Sequence, residues 1–273
     1  MKLKDKVAMV TGGASGMGRA MALAFAGEGA NLAIGSLTRR GGKTIAGEIT
    51  NLLDPSELDQ VKGEAEGFGV KCLAKELDVT SPASVEEFVE RTLERFGKID
   101  ILANAAGMTC EHTVEGHDDA LWQRVLDVNL TGSYRCIKAV LPTMKKNRWG
   151  RIINIASTAA NVGSATNAAY CAAKAGVLGL TRSVALEGAE FGISANAICP
   201  AWVNTAFGKQ WIGDLAKTDK VTEEKKFQEI INSYPQKRLI SPEEIGHLAL
   251  FLALDESFGI SGQDITVSGA GLW

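Results

Sequence analysis

No stretch of the 273 residues approaches the roughly 20 consecutive apolar side chains that a membrane-spanning helix requires. The apolar run near the start, in "MKLKDKVAMVTGG", is too short for a secretory leader and flows directly into a motif, so no export signal is expected. Cysteine is scarce and unpatterned: Cys72, Cys110, Cys136, Cys171 and Cys199 are odd in number and never form a C-x-x-C pair. That argues against a disulfide framework and against a zinc site, so no metal is expected, and it suits a reducing compartment. Neither sign of charge is in large excess. A net charge of −3 gives no basic field for nucleic acid and no polybasic anchor for a membrane. Internal repeats, low-complexity tracts and Pro/Gly/Ser linkers are also missing. These absences leave the expectation of a cytoplasmic globular protein with no nucleic-acid or membrane partner.

What is present is an ordinary globular balance, 45% hydrophobic and 22% charged, on a chain long enough to bury a large core. Short apolar segments alternate with helical patterns throughout. "KVAMVTG", "ANLAIGS", "VKCLAKEL", "IDILANAAG", "GRIINIAS", "GISANAICP" and "QDITVS" each read as a strand. "GMGRAMALAFAGEG", "SPASVEEFVERTLERFG" and "SPEEIGHLALFLALDE" read as helices, the last two opening on Ser-Pro, an N-cap followed by a first-turn proline. Such alternation predicts crossover connections and an α/β fold with a parallel sheet buried on both faces. Two segments break the rhythm. Residues 39–69 read as one long polar connection with a break at Asp54-Pro55, and residues 201–237 as a long insertion, expected to be a lid over a substrate.

The first strand runs into "TGGASGMG", residues 11–18. Gly12, Gly16 and Gly18 permit a tight turn and a close backbone approach, delivering helix N–H groups to a pyrophosphate. Following a strand and opening a helix, this turn predicts one doubly wound Rossmann-type domain over residues 1–273, with seven parallel strands and helices on both faces. A second stretch, "AAYCAAK" at 168–174, sets Tyr170 and Lys174 one helical turn apart on a helix otherwise kept slim by alanine. Alone it reads rather as an ordinary amphipathic helix with a solvated lysine, because Tyr-x-x-x-Lys arises often by chance.

The T-G-x-x-x-G-x-G spacing resembles the short-chain dehydrogenase/reductase family, and further marks follow in order. Asp78 in "LDVT", "NAAG" at 104–107, Asn129 in "DVNLTG", Ser157 in "IINIAS", and Tyr170 with Lys174 fall where that family has its motifs. The resemblance covers essentially the whole chain. It implies a catalytic set of Asn129, Ser157, Tyr170 and Lys174, and a nicotinamide cofactor held by Gly12, Ser15, Gly16, Met17, Gly18, Ser36, Asp78, Val79, Asn104, Tyr170, Lys174, Pro200, Val203 and Thr205. It also implies a homotetramer paired through helices near 115–147 and 170–190. Read singly, Asn104 could close a turn and Asp78 could cap a helix, and both could brace the sheet as well as the cofactor.

The chemistry accounts for the residue types. Reducing a ketone needs a proton at the oxygen as hydride reaches the carbon, and a free tyrosine, with a pKa near 10, is a poor base for the reverse step. Lowering that pKa by ~3 units takes ~4 kcal/mol, about what a lysine charge ~4 Å away supplies at an effective dielectric near 20. Lys174 is therefore expected to depress Tyr170 and, by resemblance, to bond the nicotinamide ribose. Ser157 would donate to the substrate oxygen as charge develops. Asn129 would hold a water that relays protons to Lys174.

NAD users of the family usually carry Asp where Ser36 stands. Without that acid, and with Arg39 and Arg40 close behind, the balance tips slightly to NADP. Against it, Ser15 and Leu37 occupy positions where NADP users commonly have a basic residue. The expected activity is that of a carbonyl reductase or alcohol dehydrogenase, with a reductase of carrier-bound or CoA-bound 3-oxoacyl chains as the alternative and a non-catalytic nucleotide sensor further behind. The "PAWVNT" lid resembles that of bacterial 3-hydroxybutyrate dehydrogenases. Their carboxylate-holding histidine and lysine are here Ala159 and Asn167, so an uncharged, bulkier substrate is expected.

Overall fold

A computed structural model describes residues 1–41 and 44–271. Successive residues of a strand face opposite ways, and this sequence is apolar at both sets of positions, so each strand must be covered twice. The strands β1 (Val7–Thr11), β2 (Asn31–Ser36), β3 (Cys72–Glu76), β4 (Ile101–Asn104), β5 (Gly150–Ile155), β6 (Ile193–Pro200) and β7 (Asp264–Val267) pair in parallel in the order β3-β2-β1-β4-β5-β6-β7. Ala8, Val10, Leu32, Ile34, Ile101 and Ile153 enter one core layer, whereas Met9, Ala33, Leu102, Ile152 and Ala195 enter the other.

The first layer is closed by α1 (Gly16–Gly27), α2 (Pro55–Glu66) and α9 (Pro242–Ala253), whose Phe25, Val61 and Ile245 are buried in it. The second is closed by α3 (Pro82–Phe96), α5 (Gly132–Asn147) and α6 (Ala168–Gly188), through Phe88, Val140 and Val184. Between α4 (Asp119–Leu126) and α5 lies one π-helical turn, Asp127–Thr131. Residues 201–237 hold a helical pair, α7 (Ala206–Thr218) and α8 (Glu223–Ser233).

Local chemistry sets the helix starts. Ser81 Oγ accepts from Ser84 N at 3.3 Å, and Ser241 and Glu244 form a reciprocal capping box. The expectation of one long connection over 39–69 is corrected. Beyond the break, Asp54 caps a regular helix, with its carboxylate accepting from Ser56 N and Glu57 accepting from Asp54 N, and Leu58, Val61 and Ala65 bury one face. The polar composition of α2 belongs to its exposed side, so the long connection expected over 39–69 is interrupted from Pro55 by a helix. Strand order reverses between β1 and β4, which opens a crevice at their carboxyl ends.

Candidate active site

The crevice begins where β1 turns into α1. Thr11 Oγ1 accepts from Ala105 N and Ala106 N, both at 3.2 Å, tying this turn to the loop after β4. Gly12 has φ +63, and a Cβ there would come 2.8 Å from Ala106 N. A Cβ on Gly18 would lie 2.2 Å from Gly12 O, so the first turn of α1 presses directly on the loop backbone. Ser15 precedes α1 with extended backbone and no side-chain cap, and the first turn carries no acid. Its N–H groups and dipole therefore face the crevice with no competing carboxylate, which fits an anionic group such as a pyrophosphate.

Eleven of the residues expected at the cofactor line this one cleft: Gly12, Ser15, Gly16, Met17, Gly18, Ser36, Asp78, Val79, Tyr170, Lys174 and Thr205. Three do not. Pro200 and Val203 line an adjoining cavity, and Asn104 is buried at the end of β4, where its Nδ2 donates to Asn154 Oδ1 at 2.9 Å. Asn154 Nδ2 donates in turn to Thr181 Oγ1 at 2.9 Å, so a buried polar chain links β4, β5 and α6 beneath the site. The amide oxygens of Asn104 and Asn129 are buried without a protein partner. Such orphans fit a site that a polar ligand or its waters complete.

Ser157, Tyr170 and Lys174 meet where the two cavities join. Tyr170 lines both and Ser157 lines the second. Lys174 is buried, with Nζ donating to Ile155 O at 2.8 Å and lying 5.5 Å from the Tyr170 ring centroid. Asn129 sits in the π-turn, its Nδ2 donating to Met108 O at 2.8 Å and Val125 O at 2.9 Å. Gly107 keeps the facing space open, since a Cβ there would come 3.0 Å from Asn129 Oδ1 and 3.8 Å from Lys174 Nζ.

The electrostatics correct one expectation. Burial pushes the Tyr170 phenol up to about 12, opposed by the Ser157 hydroxyl, rather than letting Lys174 pull it down. Burial also draws Lys174 down to about 8. Desolvation outweighs the Coulomb gain because the ammonium is spent on Ile155 O rather than set beside the phenol oxygen. At neutral pH the phenol thus keeps its proton and the lysine its charge. We expect kcat/KM for the reduced cofactor in the reducing direction to fall above an apparent pKa near 8, as Lys174 gives up its proton while Tyr170 retains its own. A profile flat to pH 10, checked by initial rates, would remove Lys174 as the controlling group. In stability the sign is opposite. Between about 8 and the ordinary 10.5 the unfolded lysine holds a proton that the folded one has lost, so this group's contribution rises with pH.

Two features were not legible as site elements in the sequence. Residues 44–54 form a strap over the cleft. Ile49 and Thr109 exchange backbone bonds of 2.8 and 3.0 Å, and Glu48, only 2% exposed, pairs with Arg124 of α4 at 2.9 Å. Glu48, Thr50 and Asn51 line the cleft, whereas Arg39 and Arg40 do not, and Arg39 Nε donates to Leu52 O instead. The second feature is Glu111 in the adjoining cavity. Its carboxylate accepts from Asn167 Nδ2 at 2.9 Å, from Trp211 Nε1 and from Thr166 Oγ1. Trp202 and Trp211, with ring centroids 4.7 Å apart, wall that cavity, and Trp211 meets Tyr170 edge-on at 5.6 Å. No motif could have flagged Glu111, because its partners lie 55 to 100 residues away.

A nicotinamide-type cleft joined to an apolar pocket through a tyrosine, a serine and a lysine defines a class of oxidoreductase, and comparison with known proteins agrees. The family model described as enoyl-(acyl carrier protein) reductase matches residues 12–271. A D-beta-hydroxybutyrate dehydrogenase of Rhizobium meliloti is 37% identical over 266 residues, covering 97% of each chain. An NAD+-bound xylitol dehydrogenase superposes with a TM-score of 0.88 at 30% identity, over 99% of this chain and 100% of that one. An actinorhodin polyketide ketoreductase with NADPH gives 0.88 at 31% identity, over 98% of both. The chain belongs to the short-chain dehydrogenase/reductase family. It is an NAD(P)-dependent oxidoreductase of the kind that interconverts ketones and secondary alcohols.

Proposed function

We propose that Tyr170 is the general acid and base of this reaction, working on a substrate held in the pocket lined by Ser157, Trp202 and Trp211. The observation that carries this reading is the position of Tyr170 at the junction of the two cavities, lining both, with Ser157 on the second. A nicotinamide bound in the first cleft supplies or accepts the hydride. Gly12, Ser15, Gly16, Met17 and Gly18 would hold its pyrophosphate, Asp78 and Val79 its adenine, and Lys174 its ribose. Asn104 serves by bracing β4 against β5, and Pro200, Val203 and Thr205 by shaping the reacting end. Ser157 positions the substrate oxygen and Tyr170 gives it a proton. Lys174 keeps a positive charge behind the phenol, and the Asn129 carboxamide faces the space through which a water can return the proton.

The substrate reading rests on what lines the second cavity. Ala159 and Asn167 stand there, Asn167 is committed to Glu111, and among the described lining residues no Lys or Arg is present. A small carboxylate would forgo charge-assisted bonds of about 1.5–3 kcal/mol each. Residues 201–237, with Phe207, Trp211 and Leu215 turned to the cavity, serve as the substrate lid. For the cofactor we keep NADP ahead of NAD. Position 36 offers no carboxylate, its hydroxyl accepts from Ala14 N at 3.0 Å, and Arg39 and Arg40 stand exposed just beyond it. Initial rates with NADPH and NADH on cyclic and aryl ketones, beside acetoacetate, test both points. We expect kcat/KM to be at least about tenfold higher for the best neutral ketone, the loss of roughly one such bond. Acetoacetate as the best substrate would overturn the reading.

A homotetramer and a cytoplasmic location complete the proposal. Tyr134 on α5 and Leu186 on α6 are exposed apolar side chains on the helices expected to pair, and all five cysteines are free. Among the described residues no helix is long and apolar enough to cross a membrane. Light scattering is expected to give four times the 28.9 kDa chain mass, and a monomer would refute the assembly.

A further inference from the structure

We infer that Glu111 makes the substrate pocket a cation subsite, and that the ketone or alcohol it takes carries a quaternary or protonated amine. The inference rests on the reading that this pocket holds the carbonyl beside Tyr170. Among the described lining residues, Glu111 is the one charged side chain. Its carboxylate is drawn to the cavity wall by three donors, Asn167 Nδ2, Thr166 Oγ1 and Trp211 Nε1. Two carboxylate oxygens offer about four acceptor sites, so these donors leave roughly one for a ligand. Thr166 is held at φ +63, a left-handed backbone that a β-branched residue seldom adopts, while its hydroxyl donates to this carboxylate.

The walls beside the carboxylate are aromatic. Trp202 and Trp211 meet at 51° with centroids 4.7 Å apart, and Phe207 stands 6.0 Å from Trp211. Tilted indole faces attract an ammonium through the ring quadrupole, and a nearby carboxylate adds direct charge attraction. A polyol could also donate to Glu111, but its hydroxyls would leave those faces without a charged partner. A substrate carboxylate would meet like charge. The same side chains that deny an anion its anchor therefore favour a cation.

The test uses two ketones of one shape. Acetonyltrimethylammonium and methyl neopentyl ketone differ by a charged nitrogen in place of a carbon. With wild-type enzyme and its reduced cofactor, kcat/KM is expected to be about tenfold or more higher for the cation. In Glu111→Gln that ratio should fall towards one, and in Trp202→Leu it should fall partway. A wild-type ratio of one or below, or a ratio retained in Glu111→Gln, overturns the inference. If neither ketone is reduced, the functional reading fails, and titration of tryptophan fluorescence still decides the subsite. Binding of the cation about tenfold tighter than its neutral analogue, lost in Glu111→Gln, supports it. Equal binding of the two overturns it.

Discussion

Tyr170→Phe is expected to lower kcat by ~10²–10⁴-fold while leaving cofactor affinity within about threefold, because only a proton donor is removed. The ring is buried and packed edge-on against Trp211, so phenylalanine keeps the same contacts and loses only the hydroxyl. Steady-state rates with a fluorescence titration of the cofactor separate the two effects. A variant keeping more than about a tenth of wild-type kcat would exclude Tyr170 as the donor.

The second large effect is expected from Gly18→Ala, a change of one methyl group. The new Cβ would stand 2.2 Å from Gly12 O and 2.7 Å from Gly12 C, both backbone atoms, so no side-chain rotation relieves it. Either α1 or the 11–18 turn must move, and both are fixed, the helix by Met21 and Phe25 in the core and the turn by Thr11. Overpacking of this kind costs about 1–3 kcal/mol in stability. The displaced N–H groups would no longer converge on one point, so cofactor affinity should fall by at least about a hundredfold, the loss of two or more charge-assisted bonds. Calorimetry on the variant checks both. Unchanged cofactor affinity would show that the helix start does not carry the phosphate contact.

Much of this architecture is legible before any coordinates. The seven strands follow from short, mostly apolar runs such as "GRIINIAS", because a parallel strand buried on both faces holds few polar residues and those, like Asn154, are hydrogen-bonded. The glycine turn and the Tyr170–Lys174 pair are legible for a similar reason, as each depends on residues close together in the chain. What escaped depends on distance. Residues 55–66 looked like loop because α2 is polar on its exposed face, and three buried residues were too few to announce a helix. The strap is invisible because Glu48 acquires its meaning only beside Arg124, and Glu111 likewise only beside Trp211. The raised Tyr170 phenol was missed for a different reason. A one-turn spacing fixes which face two side chains share, not which acceptor the lysine chooses, and here it chose the Ile155 carbonyl.

The strap also bears on timing. Under the proposed binding mode, Glu48, Thr50 and Asn51 of the cleft wall would stand beside the adenosine half of the dinucleotide, so exchange on that side would require local opening. The anchors to be broken include two backbone hydrogen bonds and the partly buried Glu48–Arg124 pair. Together they hold the closed form by about 2–4 kcal/mol, an open fraction of roughly 10⁻² to 10⁻³. Loop motions on the microsecond scale sample such a fraction many times within a typical turnover. The strap therefore slows cofactor exchange without stopping it, and because an ion pair is one of its latches, the off-rate should climb with ionic strength while the proton-transfer step does not.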